Sequence, residues 1–391
     1  MKKIVIILLS VLALASCGKQ DTVYKEFVKP GGYIYPAKPI ELTATSGYQK
    51  VILEWGAPMD PSVRFTRLFW DNYTDSLEFS ISDYVDGALT AIVSDLDDRS
   101  YTFDVINYDG KGHKSLATEI TTTPFGESWL LSHAERSLMA AAMDGDEAVI
   151  TMSKSTDEMV ATKFRYKTVD GKVIESGYLK PGETEMRLPN ALKGKKFEYK
   201  SAFLPSSGTD TVWFASWQKS QFPILYKLDV ENWTVEATKG QVYSTYTANK
   251  IFDGVISSSN RWHSSRTAST AKLFPKVLAI DTKEEGDAAA SLVKMVFSQS
   301  PSGSTYRYIR EVQVFVGDKP YDPNDSAVLE NYGTPALVTT LGRNDADQTV
   351  EFKPAVKGRY IAVVFTNSYN TSGYIDLWEL APYGYVVSDA D

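Results

Sequence analysis

Short stretches in which every second residue is apolar recur along this chain, and turn residues separate them. Ile40-Leu42-Ala44, Val51-Leu53-Trp55 and Tyr101-Phe103-Val105 alternate cleanly, and Asn107-Tyr108-Asp109-Gly110 ends the last of these in a turn. Successive side chains of a strand point to opposite faces, so this period of two specifies half-buried strands and an all-β chain. Phe65-Arg67-Phe69 continues the pattern, with Arg67 on the same face as two rings. One stretch departs from it: Ser132 to Met143 is rich in Ala, Leu and Met, which predicts a helical linker. The chain has a single cysteine, Cys17, so no internal disulfide is available and stability must come from buried cores. Its 391 residues are enough for two or three domains.

Lys2 and Lys3 precede Ile4 to Ala15, a run that is apolar apart from Ser10. A run this short falls below the roughly 20 residues that span a bilayer, and it has the form of a targeting segment. Leu14-Ala15-Ser16-Cys17 resembles the bacterial lipobox. That resemblance implies a signal peptide over 1–16, cleavage before Cys17 and a lipid on its thiol; the alternative is an ordinary secretory signal. Residue 18 is Gly and not the Asp that retains lipoproteins at the inner membrane, so the expectation is a lipid-anchored outer-membrane protein at the cell surface. Residues 17–36, with Pro30, Gly31, Gly32 and Pro36, read as a tether. The net charge of −8 argues against nucleic acid, whose binding needs a basic stripe that releases counterions. Tyrosine and tryptophan are numerous, 23 and 8, and proteins this rich in amphipathic rings often place some at the surface, where a ring face can meet a ligand.

Lys38-Pro39 through Trp55 resembles the first two strands of a fibronectin type III module, with Trp55 as the core indole. Leu96 followed by Tyr101 resembles the module's tyrosine corner, in which the hydroxyl ties the crossover between sheets to the backbone. Leu96, Tyr101 and Phe103 recur at one constant offset as Leu192, Phe197 and Tyr199, about one module later. The second copy is degenerate: Met152 lies near the position of the core Trp, and Phe197 lacks the corner hydroxyl. The expected division is one module over 37–124 and a second over 125–221.

Phe222-Pro223 marks the next boundary. Ala248-Asn249-Lys250-Ile251-Phe252-Asp253-Gly254, followed by Asn260-Arg261-Trp262-His263-Ser264, resembles the start of a discoidin (coagulation factor 5/8 type C) domain, which is galactose-binding-like. The likeness continues through Trp233 to Ala237, Phe274 to Asp281, Ile309 to Val316, Gly358 to Val364 and Tyr374 to Leu380. It implies a jelly-roll β-sandwich over 222–391 with a ligand site on its loops. The expected fold is therefore all-β: two fibronectin III-like β-sandwiches followed by a discoidin-like one.

The resemblance also implies roles for individual residues. Asp253 and Glu379 would be the side-chain ligands of a structural Ca²⁺, a hard ion that takes six to eight oxygens; alternatively, Asp253 simply closes the Asp-Gly turn. Trp262 would pack beneath the sheet. His263 would face the loop end and hydrogen-bond sugar hydroxyls, or be an ordinary solvated histidine. Arg266 would add paired donors. Tyr369 would be an aromatic platform with Asn370 beside it, and Tyr306 would close a second loop at the same end; the other reading of both tyrosines is exposed strand-end residues. Ser298-Gln299 stands where galactose-binding relatives carry Pro-Arg, which turns the expectation away from galactose.

No nucleophilic triad order, zinc spacing or phosphate loop appears, so no enzyme is expected. The expected function is capture of an oligosaccharide or polysaccharide at the outer membrane, beside a transporter complex. The alternative is a protein-binding adhesin or a scaffold subunit of an outer-membrane assembly.

Overall fold

The computed structural model describes residues 35–386 and Gly32, except Ser258, Glu285, Asp287, Ala288, 300–306 and Asp345. The signal segment, Cys17, most of the tether and Tyr306 lie outside the described residues. Among the described residues no helix is long and apolar enough to cross a membrane. The chain is all-β and divides into two units, one of residues up to 133 with 204–212, the other of 134–203 with 213–391.

The first unit is a sandwich of a three-stranded and a four-stranded antiparallel sheet. Ile40–Gly47, Lys50–Gly56 and Ala88–Ser94 form one; Asp75–Ser80, Val63–Trp70, Tyr101–Asp109 and Thr118–Thr122 form the other. The alternating residues Val51, Leu53, Trp55, Tyr101, Phe103 and Val105 fill its core. The Trp55 indole is buried and donates to the Tyr84 hydroxyl at 2.7 Å. The Tyr101 hydroxyl accepts from the Asp97 amide at 3.0 Å, the corner bond expected from the sequence. Phe65, Arg67 and Phe69 share a face, but it is the outer one: Thr66 and Leu68 are the fully buried residues of that strand. Outside, Phe65 stacks on Tyr108 with ring centroids 4.9 Å apart, and the Arg67 guanidinium lies 5.7–5.8 Å from the rings of Phe65, Phe69 and Tyr108.

The second unit opens with another sandwich. Leu138–Asp144, Glu147–Met152 and Glu185–Pro189 form one sheet. Val173–Glu175, Met159–Lys167 and Glu198–Phe203 form the facing sheet, with Gln218–Lys219 paired onto Glu198–Phe203. The helix expected over Ser132 to Met143 is absent. A short helix occupies Glu127–Leu131, in the first unit, and Leu138–Asp144 is a strand. Pairing with Glu147–Met152 and burial of Leu138 and Ala141 outweigh the intrinsic helix preference of Ala, Leu and Met. Met152 and Phe197 lie in the core, as the degenerate repeat implies.

The second and third sandwiches share a joint. Ile224 belongs to the second core, Leu225 exchanges backbone hydrogen bonds with Ala141 and Met143, and Tyr226–Lys227 pairs with the last strand, Glu379–Val386. The C-terminal sandwich packs the sheet Tyr226–Lys227, Glu379–Val386, Ala290–Ser298, Gln348–Lys357 against the sheet Thr234–Ala237, Lys276–Asp281, Tyr360–Ser368, Ile309–Gly317, Leu337–Thr340. Trp262, Phe297, Phe365, Leu278 and Met295 are among the residues that fill the space between. Trp262 is fully buried and stacks on Phe365 at 5.5 Å, so it serves the core.

Candidate functional site

The two-residue strand Trp262–His263 pairs with Asp376–Leu377, placing His263 opposite Asp376. The turn before the motif is stitched to the same short strand. Tyr243 N–H donates to the His263 carbonyl at 3.0 Å, His263 N–H donates to the Tyr246 carbonyl at 3.3 Å, and Tyr246 N–H closes the turn on Tyr243 at 3.1 Å. Ser264 fixes the other side, through its amide to the Ile375 carbonyl and its hydroxyl, which accepts from the Ile375 amide. Three chain segments thus meet around one imidazole.

His263 is wholly buried. Its Nδ1 lies 2.6 Å from the Ser264 carbonyl, which can only accept, so the ring proton sits on Nδ1. Nε2 is then an acceptor, and Arg266 Nε donates to it at 2.8 Å. Burial pushes the imidazole down to about 3, and the charges of Arg266, Arg307 and Arg261 act in the same direction. The ring is therefore neutral at physiological pH. Beneath it, Asp376 is buried between Arg261, 2.9 Å away, and Arg307, 3.0 Å away, with His263 Nδ1 at 3.3 Å. Burial raises the Asp376 carboxyl and the arginines oppose that shift.

Rings cover the imidazole. Tyr243 and Tyr246 are parallel within 9°, with centroids 6.3 Å apart. Both lean over His263, at 5.3 and 6.0 Å, and Tyr374 approaches it at 5.5 Å. The Arg266 guanidinium lies 4.6 Å from the Tyr243 ring and 5.7 Å from that of Tyr374. Arg261 lies 4.6 Å from the ring of Tyr246. Tyr243 remains 36% exposed and Arg266 is exposed, so the group presents two tyrosine rings and a guanidinium fixed at its Nε. Such a surface can stack on the C–H face of a sugar and donate to its hydroxyls.

Of the residues singled out in the sequence, the structure brings together His263 and Arg266. With both ring nitrogens engaged, His263 touches a ligand only through Arg266. Tyr369, expected as the platform, is half-buried; its hydroxyl donates to the Leu341 carbonyl at 3.0 Å, and its described contacts are with Tyr308, Leu341 and Arg310. Asn370 is buried and folds its own loop, accepting from the Ser372 amide at 2.8 Å and donating to the Tyr374 carbonyl at 3.2 Å. The residues that sequence reasoning missed are Tyr243, Tyr246, Tyr374, Arg261, Arg307 and Asp376. The available signal was Tyr243 and Tyr246, three apart in a turn just before the Asp-Gly motif.

Asp253 closes its turn by accepting from the Val255 amide at 3.0 Å and from the Asn260 amide. Glu379 reaches the same loop, accepting from Gly254 N–H at 3.1 Å. Its other oxygen, Oε1, is buried without a hydrogen-bond donor, 3.5 Å from the Lys227 ammonium. The Val255, Ser257 and Ser259 carbonyls of this loop already accept hydrogen bonds, and Lys227 is the cation that Glu379 meets; Asp253, Glu379 and the remaining loop backbone are the groups that would hold Ca²⁺. Among the described residues no three His, Cys, Asp or Glu side chains converge, so carbonyls would supply most of the shell.

No curated protein matches the sequence. Structures similar to the chain include the family 32 carbohydrate-binding module of C. perfringens NanJ, solved in complex with galactose. It is 18% identical, with 41% of this chain and 99% of that one covered and a TM-score of 0.33. The C-terminal domain of a chitobiase from Bacteroides fragilis is 18% identical over the same shares, with a TM-score of 0.32. A SusE-like protein is 12% identical, with 89% of this chain and 97% of that one covered and a TM-score of 0.31. Residues 17–211, which take in the first sandwich and most of the second, match the model of DUF4998, a domain of unknown function.

Proposed function

We propose that this chain is a non-catalytic carbohydrate-binding protein whose C-terminal sandwich captures an oligosaccharide or polysaccharide at its loop end. The observation that carries this reading is the exposed Arg266 guanidinium, fixed by neutral His263 beside the parallel rings of Tyr243 and Tyr246. With Nε spent on His263, the two Nη groups of this exposed side chain are left as paired donors. The rings supply the apolar face that a pyranose needs, and ordering costs are low because the buried network beneath is already in place. A site of this kind is shallow and binds weakly as a single copy; many copies on one membrane raise the avidity. In this reading Cys17 carries the lipid, the protein sits at the outer membrane, and captured glycan passes to a transporter. Ca²⁺ at Asp253 and Glu379 would stiffen the motif loop.

Calorimetry with a glycan that binds the chain tests the placement. Arg266→Ala and Tyr243→Ala should each weaken binding at least tenfold, whereas Tyr369→Ala should leave it within about twofold. Loss in Tyr369→Ala alone would move the site to the 366–373 loop.

A further inference from the structure

The second sandwich carries an aromatic and basic face of its own. On Met159–Lys167 the rings of Phe164 and Tyr166 enter the core, so Lys163 and Arg165 point outward. The neighbouring strand, Glu198–Phe203, sets Lys200 directly opposite Lys163. Two like charges in one cross-strand position destabilise a sheet.

What gathers these cations is Trp217, which follows in the segment between Trp213 and the strand Gln218–Lys219. Arg165, Lys200 and Lys163 lie 4.7, 4.9 and 5.3 Å from its ring centroid. Lys163 also lies 5.1 Å from the ring of Trp213, whose other neighbour is Tyr178 at 5.5 Å. Tyr178 is 59% exposed, and both indoles are half-exposed. Two of the three cations already have carboxylates: Glu175 pairs with Lys163 at 2.6 Å, and Glu198 accepts from Arg165 Nε at 2.7 Å. Lys200 has no carboxylate hydrogen bond among the described residues. Three cations held on one indole, beside a second indole and a tyrosine at the surface, combine the stacking surface of a sugar site with a charge that neutral sugars do not need.

We infer that this face of the second sandwich is a separate binding site for an acidic saccharide, one bearing carboxylate or sulfate groups. The rings take the sugar faces and Lys200 takes the anion, which relieves its repulsion with Lys163. The site is independent of the loop-end site in the C-terminal sandwich, and either can fail without the other.

Calorimetry of the full chain at low salt decides it, with three probes: oligogalacturonate, its methyl ester, and a chondroitin sulfate oligosaccharide. The first and third distinguish a uronate source from a sulfated one. At least one acidic probe should bind tenfold or more tighter than the neutral ester, and the affinity should fall as salt is raised. Lys200→Gln keeps a polar side chain without the charge, removes the like-charge pair, and should weaken acidic binding fivefold or more with an unchanged or higher Tm. Trp217→Ala should abolish binding, and Arg266→Ala should leave it intact. The inference is overturned if neither acidic probe binds, if the ester binds as tightly as the acid, or if Lys200→Gln leaves the Kd unchanged.

Discussion

Acidification should unlock the loop end through one residue. His263 is neutral in the folded chain and held down to about 3, against 6.5 for an unperturbed imidazole. Between those values the unfolded chain binds a proton that the folded chain refuses. The stability that neutral His263 contributes is therefore complete above pH 6.5 and lost as pH falls toward 3, at about 1.4 kcal/mol per pH unit. At pH 5 the loss is about 2 kcal/mol, roughly a thirtyfold change in the folded-to-unfolded ratio. The groups around the ring are Arg261, Arg266, Arg307, Asp376 and the three tyrosines, and Asp376 alone of these would welcome the added charge. Carboxyls raised by burial, Glu379 and Glu135 among them, gain stability on acidification and mask part of the effect. The informative quantity is thus the difference between wild type and His263→Gln, whose amide oxygen still accepts from Arg266 but does not titrate. Urea unfolding of both at pH 7.5 and 5.0 should show the wild type losing about 2 kcal/mol more. With three histidines in the chain, nitrogen-15 imidazole shifts can be followed individually. A His263 signal that titrates near 6.5, or equal losses in the two proteins, would refute the reasoning.

Other outcomes follow from the same geometry. Asp376→Ala leaves Arg261 and Arg307 facing each other without their buried partner and should destabilise the C-terminal sandwich by about 3–5 kcal/mol, read by urea unfolding. Tyr101→Phe strips the Asp97 amide of its acceptor and should cost the first unit about 1 kcal/mol, seen as a lower Tm of that unit with its fold intact. Saturating calcium should raise the Tm of the second unit, with EGTA reversing the rise and Glu379→Gln removing it; calorimetry that finds no shift in the wild type would argue against the ion.

The sequence was most legible where one physical requirement governs a position. Trp55, Tyr101 and Phe103 alternate because a two-faced strand demands it, and their weak echo in Met152, Phe197 and Tyr199 persists because a second core must be filled the same way. Ser132 to Met143 misled because local preference and tertiary pairing disagree there, and pairing won. Phe65 and Phe69 misled differently: alternation says that two residues share a face, but not which face meets the core. At the candidate site, the Asp-Gly and Trp-His motifs drew attention to the end of the sandwich where His263 and Arg266 meet. They did not disclose that His263 lies under Tyr243 and Tyr246, because that contact depends on how the 241–247 turn folds back over the strand. For Tyr369 the sequence offers only its polar loop, while the Leu341 carbonyl that holds its hydroxyl lies 28 positions away.

The most direct test of the central claim is the binding of the chain to a broad panel of plant and host glycans, with Arg266→Ala in parallel and folding checked for both. The account predicts that wild type retains one or more glycans and that Arg266→Ala loses those held at the loop end while its Tm is unchanged. No glycan bound by the wild type, or full retention of every bound glycan by Arg266→Ala, would contradict it.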